Sequence, residues 1–408
     1  MKKDKEKQIE ELLERGTERV IEKDNLKEKL LSEEKLRVKL GIDPTGTKIH
    51  LGRATALWKL RKFQDLGHQA VLIIGDFTAQ IGDASDKKEM RTGLSKKEIK
   101  KNMENYLDQI GKIIDLDKAE VHYNSEWLGK LSAGKLLSIA KKFTAQQMIQ
   151  RRNFKERWEK SKPIGLHEIN YPLLQGYDSV QIKADLELGG YDQLFNLKIG
   201  RELQKIFNQE PQDMMTMEML YGLDGRKMST SWGNVINIID DPKEMYGKIM
   251  SMKDELIYDY FRLCTDVDLK EIEEIKEKIE GGNFNPKKAK EKLGREIVER
   301  YYNKKKAKKT AKEFNRVFKD KELPEDIKEF NPFKEIEEEI KDGKLDIITL
   351  TCASGMASSN NEVKRLVEQG GVKIDGEKIE KWNKEINLDK EFVLQVGKKK
   401  FRKIVPEK

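Results

Sequence analysis

Residues 41–53 read GIDPTGTKIHLGR, and residues 221–234 read YGLDGRKMSTSWGN. The first stretch overlaps the end of a short β-like run, LRVKLGI at 36–42, and leads into a helical pattern from Ile49 to about Leu66. It reads as strand, tight loop and helix. The second stretch follows another β-like run at 213–220. Ligands of open parallel sheets gather at the carboxyl ends of the strands, so both loops are candidates for one site. In the first, His50 and Gly52 fall in the opening turn of the helix. A helix start offers free backbone N–H groups and a positive dipole end, an imidazole can donate to a phosphate oxygen, and glycine lets a nucleotide base come close. In the second, Lys227 stands among glycines and small hydroxyl residues, which suits a loop that closes over a triphosphate and meets charge developing on departing pyrophosphate. Alone, a His-x-Gly sequence is an ordinary helix start. Two such loops after two strand ends point to a nucleotide.

Working outward, AVLIIGD at 70–76, AEVHYN at 119–124 and a strand at 183–188 ending in Gly189-Gly190 alternate with helical stretches near 168–180 and up to about 207. Such alternation marks an α/β fold with a parallel sheet, interrupted by a largely helical insertion at about 125–166. Residues 5–31 are Lys/Glu-rich, with Ile9, Leu12, Leu13, Val20, Leu26 and Leu30 spaced to line one face. They predict an amphipathic helix or pair of helices. Beyond about 245 the chain is helical and highly charged until about 346, PEDIKEFNPF at 324–333 reads as a linker, and the last 65 residues or so read as a compact α/β module with a basic edge.

The 408 residues suffice for two or three domains. Lys plus Arg number 81 against 73 Asp plus Glu, a net charge of +8 with 38% of residues charged. This balance fits a solvated surface with basic patches better than a histone-like tail, and it permits a polyanionic partner. The two cysteines, Cys264 and Cys352, exclude a disulfide scaffold and a multi-cysteine zinc site. His50, His68, His122 and His167 are scattered, so no metal-ligand spacing is present. The start, MKKDKEKQIEELLERG, lacks a signal-peptide core, and nowhere do about 18 apolar residues run together. A soluble, cytoplasmic protein with no membrane partner is expected.

Three further segments carry polar chemistry. NYPLLQGYD, 170–178, sets Tyr171, Gln175 and Asp178 at spacings of four and three, hence on one helix face; Asp178 can accept a hydrogen bond from a phenol. GGYDQ, 189–193, follows a strand end. GDFTAQIGDASDKKEMR, 75–91, carries Asp83 and then Lys87, Lys88 and Arg91.

HLGR at 50–53 and KMSTS at 227–231 resemble the HIGH and KMSKS signatures of class I aminoacyl-tRNA synthetases. With NYPLLQGYD and GGYDQ, residues 35–240 resemble the tyrosyl-tRNA synthetases of bacterial type, and the C-terminal segment resembles the small RNA-binding module those enzymes share with a ribosomal small-subunit protein. The resemblance implies an N-terminal helical segment (1–34), a Rossmann-like parallel-sheet catalytic domain (35–240), an α-helical tRNA-binding domain (241–325), a linker (326–343) and a C-terminal RNA-binding domain (344–408). It implies that Tyr171, Gln175 and Asp83 hold the α-amino group of tyrosine, that Asp178 binds its hydroxyl, and that Gln193 and Asp43 complete the polar cage. Asp192 with Gly190 would contact the ribose of ATP, with Gly41, His50, Gly52, Arg53, Lys227, Met228 and Ser229 around the rest of the nucleotide. His50, Thr45 and Lys227, with a mobile loop carrying Lys87, Lys88 and Arg91, would stabilise the transition state. Lys364, Arg365, Lys373, Lys398, Lys399, Lys400 and Arg402 would meet tRNA phosphates. Mg²⁺ would arrive on the ATP phosphates, and the enzyme would be a homodimer joined largely through the 125–166 insertion and bridged by tRNA.

Three positions depart from the pattern. Arg53 replaces the second histidine of HIGH, Thr230 replaces the second lysine of KMSKS, and Lys39 stands where many members have a tyrosine that helps bind the phenol. The last change puts more weight on Asp178. Two rival readings are a tryptophanyl-tRNA synthetase, which shares both signature loops, and a non-catalytic RNA-binding protein on a synthetase scaffold. Asp178 and the C-terminal module argue against the first; retention of Asp83, Lys227, Asp178 and Gln193 argues against the second.

Overall fold

A computed structural model describes residues 2–85, 89–90, 92–318, 323, 327–397 and 400–406. The chain divides into two compact units, residues 1–308 and 309–408.

The first unit is built on a six-stranded sheet: β1 (Thr17–Ile21), β2 (Arg37–Ile42), β3 (Gln69–Ile74), β4 (Glu120–Tyr123), β5 (Leu186–Gly190) and β6 (Asp213–Met217). The order is β1-β6-β5-β2-β3-β4, with β2 to β6 parallel and β1 antiparallel to β6. Val38, Leu40, Val71, Leu72, Ile73, Ile74, Leu186 and Leu188 are all buried. Strands covered on both faces read as near-continuous apolar runs, which is why the central strands were visible in the sequence. β2 lies between β5 and β3, so successive connections leave it in opposite directions and open a crevice at the carboxyl ends.

β1 corrects the expectation of an all-helical N-terminal segment. Helices Lys2–Glu14 and Lys23–Leu31 do form, but TERVI between them adds a strand to the sheet edge. Gly16, with φ +64, ends the preceding turn in a conformation that glycine adopts without strain. Apolar residues at helical spacing on both sides masked a strand of five residues whose side chains are only half-buried or exposed.

Helix Leu51–Asp65 follows β2, and helices Leu166–Ile182 and Leu194–Ile206 flank β5. The last two pack closely at paired glycines: a Cβ on Gly176 would lie 3.0 Å from both the Cα and the N of Gly200. Between β4 and Leu166 come helices Ser125–Leu128, Ala133–Ala140, Ala145–Ile149 and Arg152–Glu159. They pack through Ile139 and Met148 against Leu173, Val180, Ile199 and Leu203. Arg157 joins them to the long helix by a buried two-pronged pair, Nη1 to Glu168 Oε1 at 3.0 Å and Nη2 to Oε2 at 2.7 Å. Helices Pro242–Ser251, Ile257–Cys264, Leu269–Glu280 and Pro286–Tyr301 follow the sheet.

In the second unit, Glu329–Phe330, Val372–Ile374, Glu377–Lys378, Phe392–Val396 and Lys400–Ile404 share one sheet, and Lys344–Asp346 pairs with Glu385–Asn387. Helices Ile347–Ala353 and Asn360–Glu368 cover a core that includes Leu350, Val363, Val367 and Leu394. The segment read as a linker thus contributes a two-residue strand, parallel to Lys400–Ile404, too short to show alternation in the sequence.

Candidate active site

The carboxyl ends of the parallel strands border one cavity of about 840 Å³. Asp43 and Thr45 line it after β2, with Gly41 within that strand; His50, Gly52 and Arg53 line it from the start of the next helix, and Asp83 from the loop after β3. Tyr171, Gln175 and Asp178 come from helix Leu166–Ile182, Gly190, Asp192 and Gln193 from the end of β5 and its turn, and Lys227, Met228 and Ser229 from beyond β6. The structure therefore gathers these sequence-selected residues around one space. Lys87, Lys88 and Arg91 lie outside the described residues.

At one end, Asp178 is 3% exposed. Trp127 Nε1 donates to its Oδ1 at 2.7 Å and Asn124 Nδ2 to its Oδ2 at 3.2 Å. Burial pushes its pKa up to about 7, against the opposing pull of the Lys39 charge and these two hydrogen bonds. Sequence reasoning missed Trp127 and Asn124, although NSEW at 124–127 lies at the carboxyl end of β4, where the rule that selected the other loops also applies.

The middle of the cavity is a cage of carboxylates. Thr78 Oγ1 and the Tyr171 hydroxyl donate to Asp43 at 2.7 and 2.9 Å; burial raises the pKa of Asp43 to about 6 even so. Burial, with the nearby carboxylates Asp43, Asp83 and Asp178, drives the Tyr171 phenol well above its ordinary range and keeps it a donor. Asp83 accepts from Gln193 Nε2 at 2.6 Å, from the Ser85 amide at 3.0 Å and from Arg151 Nη2 at 2.7 Å. Arg151 belongs to the insertion, far along the chain from any motif, and nothing local in the sequence marked it.

At the other end, His50 caps the helix in extended conformation, φ −90 and ψ 162. Burial first, then the Arg53 and Lys227 charges, lower its pKa to about 4, so the ring is neutral near pH 7. Its Nδ1 is buried without a hydrogen-bond partner among the described residues. A Cβ on Gly52 would come within 2.9 Å of Met228 Sδ and 3.2 Å of His50 Nδ1, so only glycine leaves this surface undisturbed. Arg53 reaches Thr45 Oγ1 and, at 3.3 Å, the Tyr106 hydroxyl. Lys227 Nζ stands 3.6 Å from Asp192 Oδ2.

The segment that follows the second signature loop is stapled to the first. The Leu51 amide donates to the Ile236 carbonyl at 2.8 Å, and the Ile238 amide to the Ile49 carbonyl at 2.9 Å. Asn234 pins the second loop, accepting from the Ser229 amide at 2.9 Å and donating to the Lys227 carbonyl at 3.1 Å. A neutral imidazole, a helix start and a lysine suit phosphate; the opposite end suits an ammonium and a phenol. Among the described residues no group of three or more His, Cys, Asp and Glu could hold a metal ion.

Lys39, at the position where a phenol-binding tyrosine was expected, does not line the cavity. It is fully buried, and its Nζ lies 2.9 Å from Glu187 Oε1.

In the second unit the basic residues do not form one face. Lys400 and Arg402 pair with Val396 and Leu394, whereas Lys373 pairs with Gln395, so side-chain alternation sends Lys373 to the opposite side of the sheet. Lys400 Nζ donates to the Met356 carbonyl at 2.8 Å. On helix Asn360–Glu368, Lys364 lies 4.4 Å over the Trp382 ring and Arg365 is exposed. Lys398 and Lys399 lie outside the described residues.

Comparison with known proteins adds independent findings. The family described as tRNA synthetases class I (W and Y) matches residues 31–319, and the S4 domain family matches residues 347–389. The chain is 44% identical to a tyrosine--tRNA ligase of Moorella thermoacetica, covering 96% of this chain and 94% of that protein, and 45% identical to one of Carboxydothermus hydrogenoformans, covering 98% of each. Among solved structures, a C-terminally truncated mitochondrial tyrosyl-tRNA synthetase of Aspergillus nidulans superposes with a TM-score of 0.63 at 20% identity, over 78% of this chain and 99% of that one, a likeness of fold. No helix among the described residues is long and apolar enough to cross a membrane. With the family's description spanning the whole parallel sheet and its signature loops, the chain belongs to the class I tRNA synthetases of the tryptophan and tyrosine group.

Proposed function

We propose that the chain is a tyrosine--tRNA ligase that activates tyrosine with ATP and then transfers the tyrosyl group to the 3'-terminal adenosine of tRNA(Tyr). The observation that carries this reading is the pairing, in one cavity, of a buried acceptor for a phenol, Asp178, with the phosphate-directed His50 and Lys227. Tyrosine is read through Asp178 at its hydroxyl and through Tyr171, Gln175, Asp83, Gln193 and Asp43 at its charged end. ATP lies along Gly41, Gly52, Arg53, Gly190, Asp192, Met228 and Ser229. The tyrosine carboxylate attacks the α-phosphorus, the bond to the β-phosphate breaks, and pyrophosphate leaves. His50, Thr45, Lys227 and the loop cations Lys87, Lys88 and Arg91 stabilise the charge on the phosphates. The terminal ribose hydroxyl of tRNA then attacks the activated carbonyl and AMP departs. Mg²⁺ takes part as a companion of the ATP phosphates, since the side chains here suit phosphate oxygens rather than a resident metal.

The enzyme acts in the cytoplasm as a homodimer. Leu137, Trp158 and Leu166 are exposed apolar residues in or beside the insertion, which supports a subunit contact there. The S4 match over residues 347–389 supports RNA binding by the C-terminal domain. The residues we assign to tRNA phosphates are Lys364, Arg365, Lys373, Lys398, Lys399, Lys400 and Arg402, with Lys373 on the other side of the sheet from Lys400 and Arg402. We keep the domain division of the sequence reading, 1–34, 35–240, 241–325, 326–343 and 344–408; the compact units, 1–308 and 309–408, divide inside the third of these. Amino-acid-dependent ATP–pyrophosphate exchange tests the whole reading. Tyrosine alone is expected to give signal; exchange with tryptophan, or none, overturns it.

A further inference from the structure

Five side chains form one hydrogen-bonded series that begins and ends on a carboxylate. Gln175 Nε2 donates to Glu187 Oε1 at 3.1 Å. Asn196 Nδ2 donates to Gln175 Oε1 at 2.8 Å and to Gln193 Oε1 at 2.9 Å. Gln193 Nε2 donates to Asp83 Oδ2 at 2.6 Å. Gln175, Gln193 and Asp83 line the cavity, whereas Glu187 and Asn196 lie buried behind it, 1% and 0% exposed. The close approach of Gly176 to Gly200 brings the two helices near enough for the series to close.

An ionised carboxylate only accepts, while a side-chain amide has one accepting and one donating end. Each glutamine must therefore turn its NH₂ toward its own carboxylate, Gln175 toward Glu187 and Gln193 toward Asp83. Their carbonyl oxygens then both face Asn196, which can meet them only with its own NH₂. Flipping any one amide sets acceptor against acceptor. The arrangement leaves Asn196 Oδ1 buried without a partner among the described residues, a cost it carries to keep this polarity.

Glu187 is itself held from behind. Lys39 Nζ contacts Glu187 Oε1 and donates to the backbone carbonyl of Gln175 at 2.9 Å and to Ser179 Oγ at 2.8 Å. Ser179 Oγ and Gln212 Nε2 donate to Glu187 Oε2. A buried ion pair is weak support for stability but well suited to enforcing one arrangement among several.

We propose that Glu187, anchored by Lys39, is a positioning residue that sets the amide polarity of Gln175 and Gln193, so that both present carbonyl oxygens as acceptors for the α-ammonium of the substrate. Each carbonyl oxygen has two lone pairs, and Asn196 engages one. The lysine that stands in the expected phenol-binding position thus acts at the other end of the amino acid. This rests on the roles proposed above for Gln175, Gln193 and Asp83.

The test uses the full-length protein and three probes: tyrosine, its desamino analogue 3-(4-hydroxyphenyl)propionate, and phenylalanine, with dissociation constants from calorimetry. Glu187→Gln keeps the size of the side chain but offers a donor that lets Gln175 flip. It is expected to weaken tyrosine about tenfold while leaving the desamino analogue within about twofold and the tyrosine-to-phenylalanine ratio unchanged. A merely structural role would weaken tyrosine and its desamino analogue together. If folded Glu187→Gln keeps the full advantage of tyrosine over the desamino analogue, the proposal is wrong. Should that variant fail to fold, Asn196→Asp, which makes the centre of the series an acceptor, carries the same expectation and the same refutation. Gln175→Ala runs in parallel. Loss of the ammonium advantage in Gln175→Ala but not in Glu187→Gln overturns the positioning role alone; no loss in either overturns the cradle itself.

Discussion

The indole Nε1 of Trp127 donates to Asp178 Oδ1 at 2.7 Å, so the carboxylate proposed to read the substrate hydroxyl is aimed by a residue from the far side of the crevice. With Asn124 on the other oxygen, the carboxylate is fixed in orientation before any ligand arrives. Pre-set geometry of this kind removes the ordering cost from binding.

Asp178→Asn keeps the shape of the side chain but removes the charge from this acceptor. We expect kcat/KM for tyrosine in pyrophosphate exchange to fall roughly tenfold to a hundredfold, the range of a charge-assisted hydrogen bond, with the value for phenylalanine little changed. An equal loss for both amino acids would remove the phenol from the role of Asp178.

The same residue makes stability depend on pH. Its pKa is raised from 3.8 to about 7 by burial, so between those values the folded chain keeps a proton that the unfolded chain has lost, and the stability from this group falls as pH rises. His50 has the opposite sign. Its pKa is lowered from 6.5 to about 4, so the unfolded chain binds the extra proton and stability rises with pH across that window. In thermal melts between pH 4 and 7, Asp178→Asn should gain on the wild type as pH rises and His50→Asn should lose ground. Parallel curves would contradict the burial argument.

Lys227 carries the phosphate-directed charge that the loop retains after the departure at Thr230. Lys227→Ala is expected to slow tyrosyl-adenylate formation about a hundredfold or more while leaving tyrosine affinity unchanged, since the interaction strengthens only as pyrophosphate leaves. Single-turnover adenylate formation measures it, and a change within a few-fold would shift that role to other residues.

Lys59 ties the N-terminal segment to the sheet unit. Its buried ammonium donates to the Leu12 and Arg15 carbonyls, both at 2.6 Å, and to Thr17 Oγ1 at 3.0 Å. Lys59→Met leaves these acceptors unanswered and should cost about 1–3 kcal/mol, read as a lower urea midpoint, with earlier proteolytic cleavage before residue 32. Unchanged protection of that segment would mean that packing of Ile9, Leu12 and Leu13 alone holds it.

The parallel sheet, the two signature loops and the cavity-lining residues that sit in those motifs were legible in the sequence because each rests on local order. Apolar runs mark strands covered on both faces, loops after strand ends collect polar and glycine residues, and Tyr171, Gln175 and Asp178 share a helix face through their spacing alone. What only the tertiary structure decided are partnerships between distant segments: β1 along β6, Trp127 on Asp178 and Arg151 on Asp83, and Lys39 turned from the expected phenol site to Glu187. A strand of five residues carries little periodic signal, and a polar side chain declares its type but not its partner. The choice of partner depends on which groups the packed chain leaves within about 3 Å in the dry interior, where an unpaired donor or charge is costly.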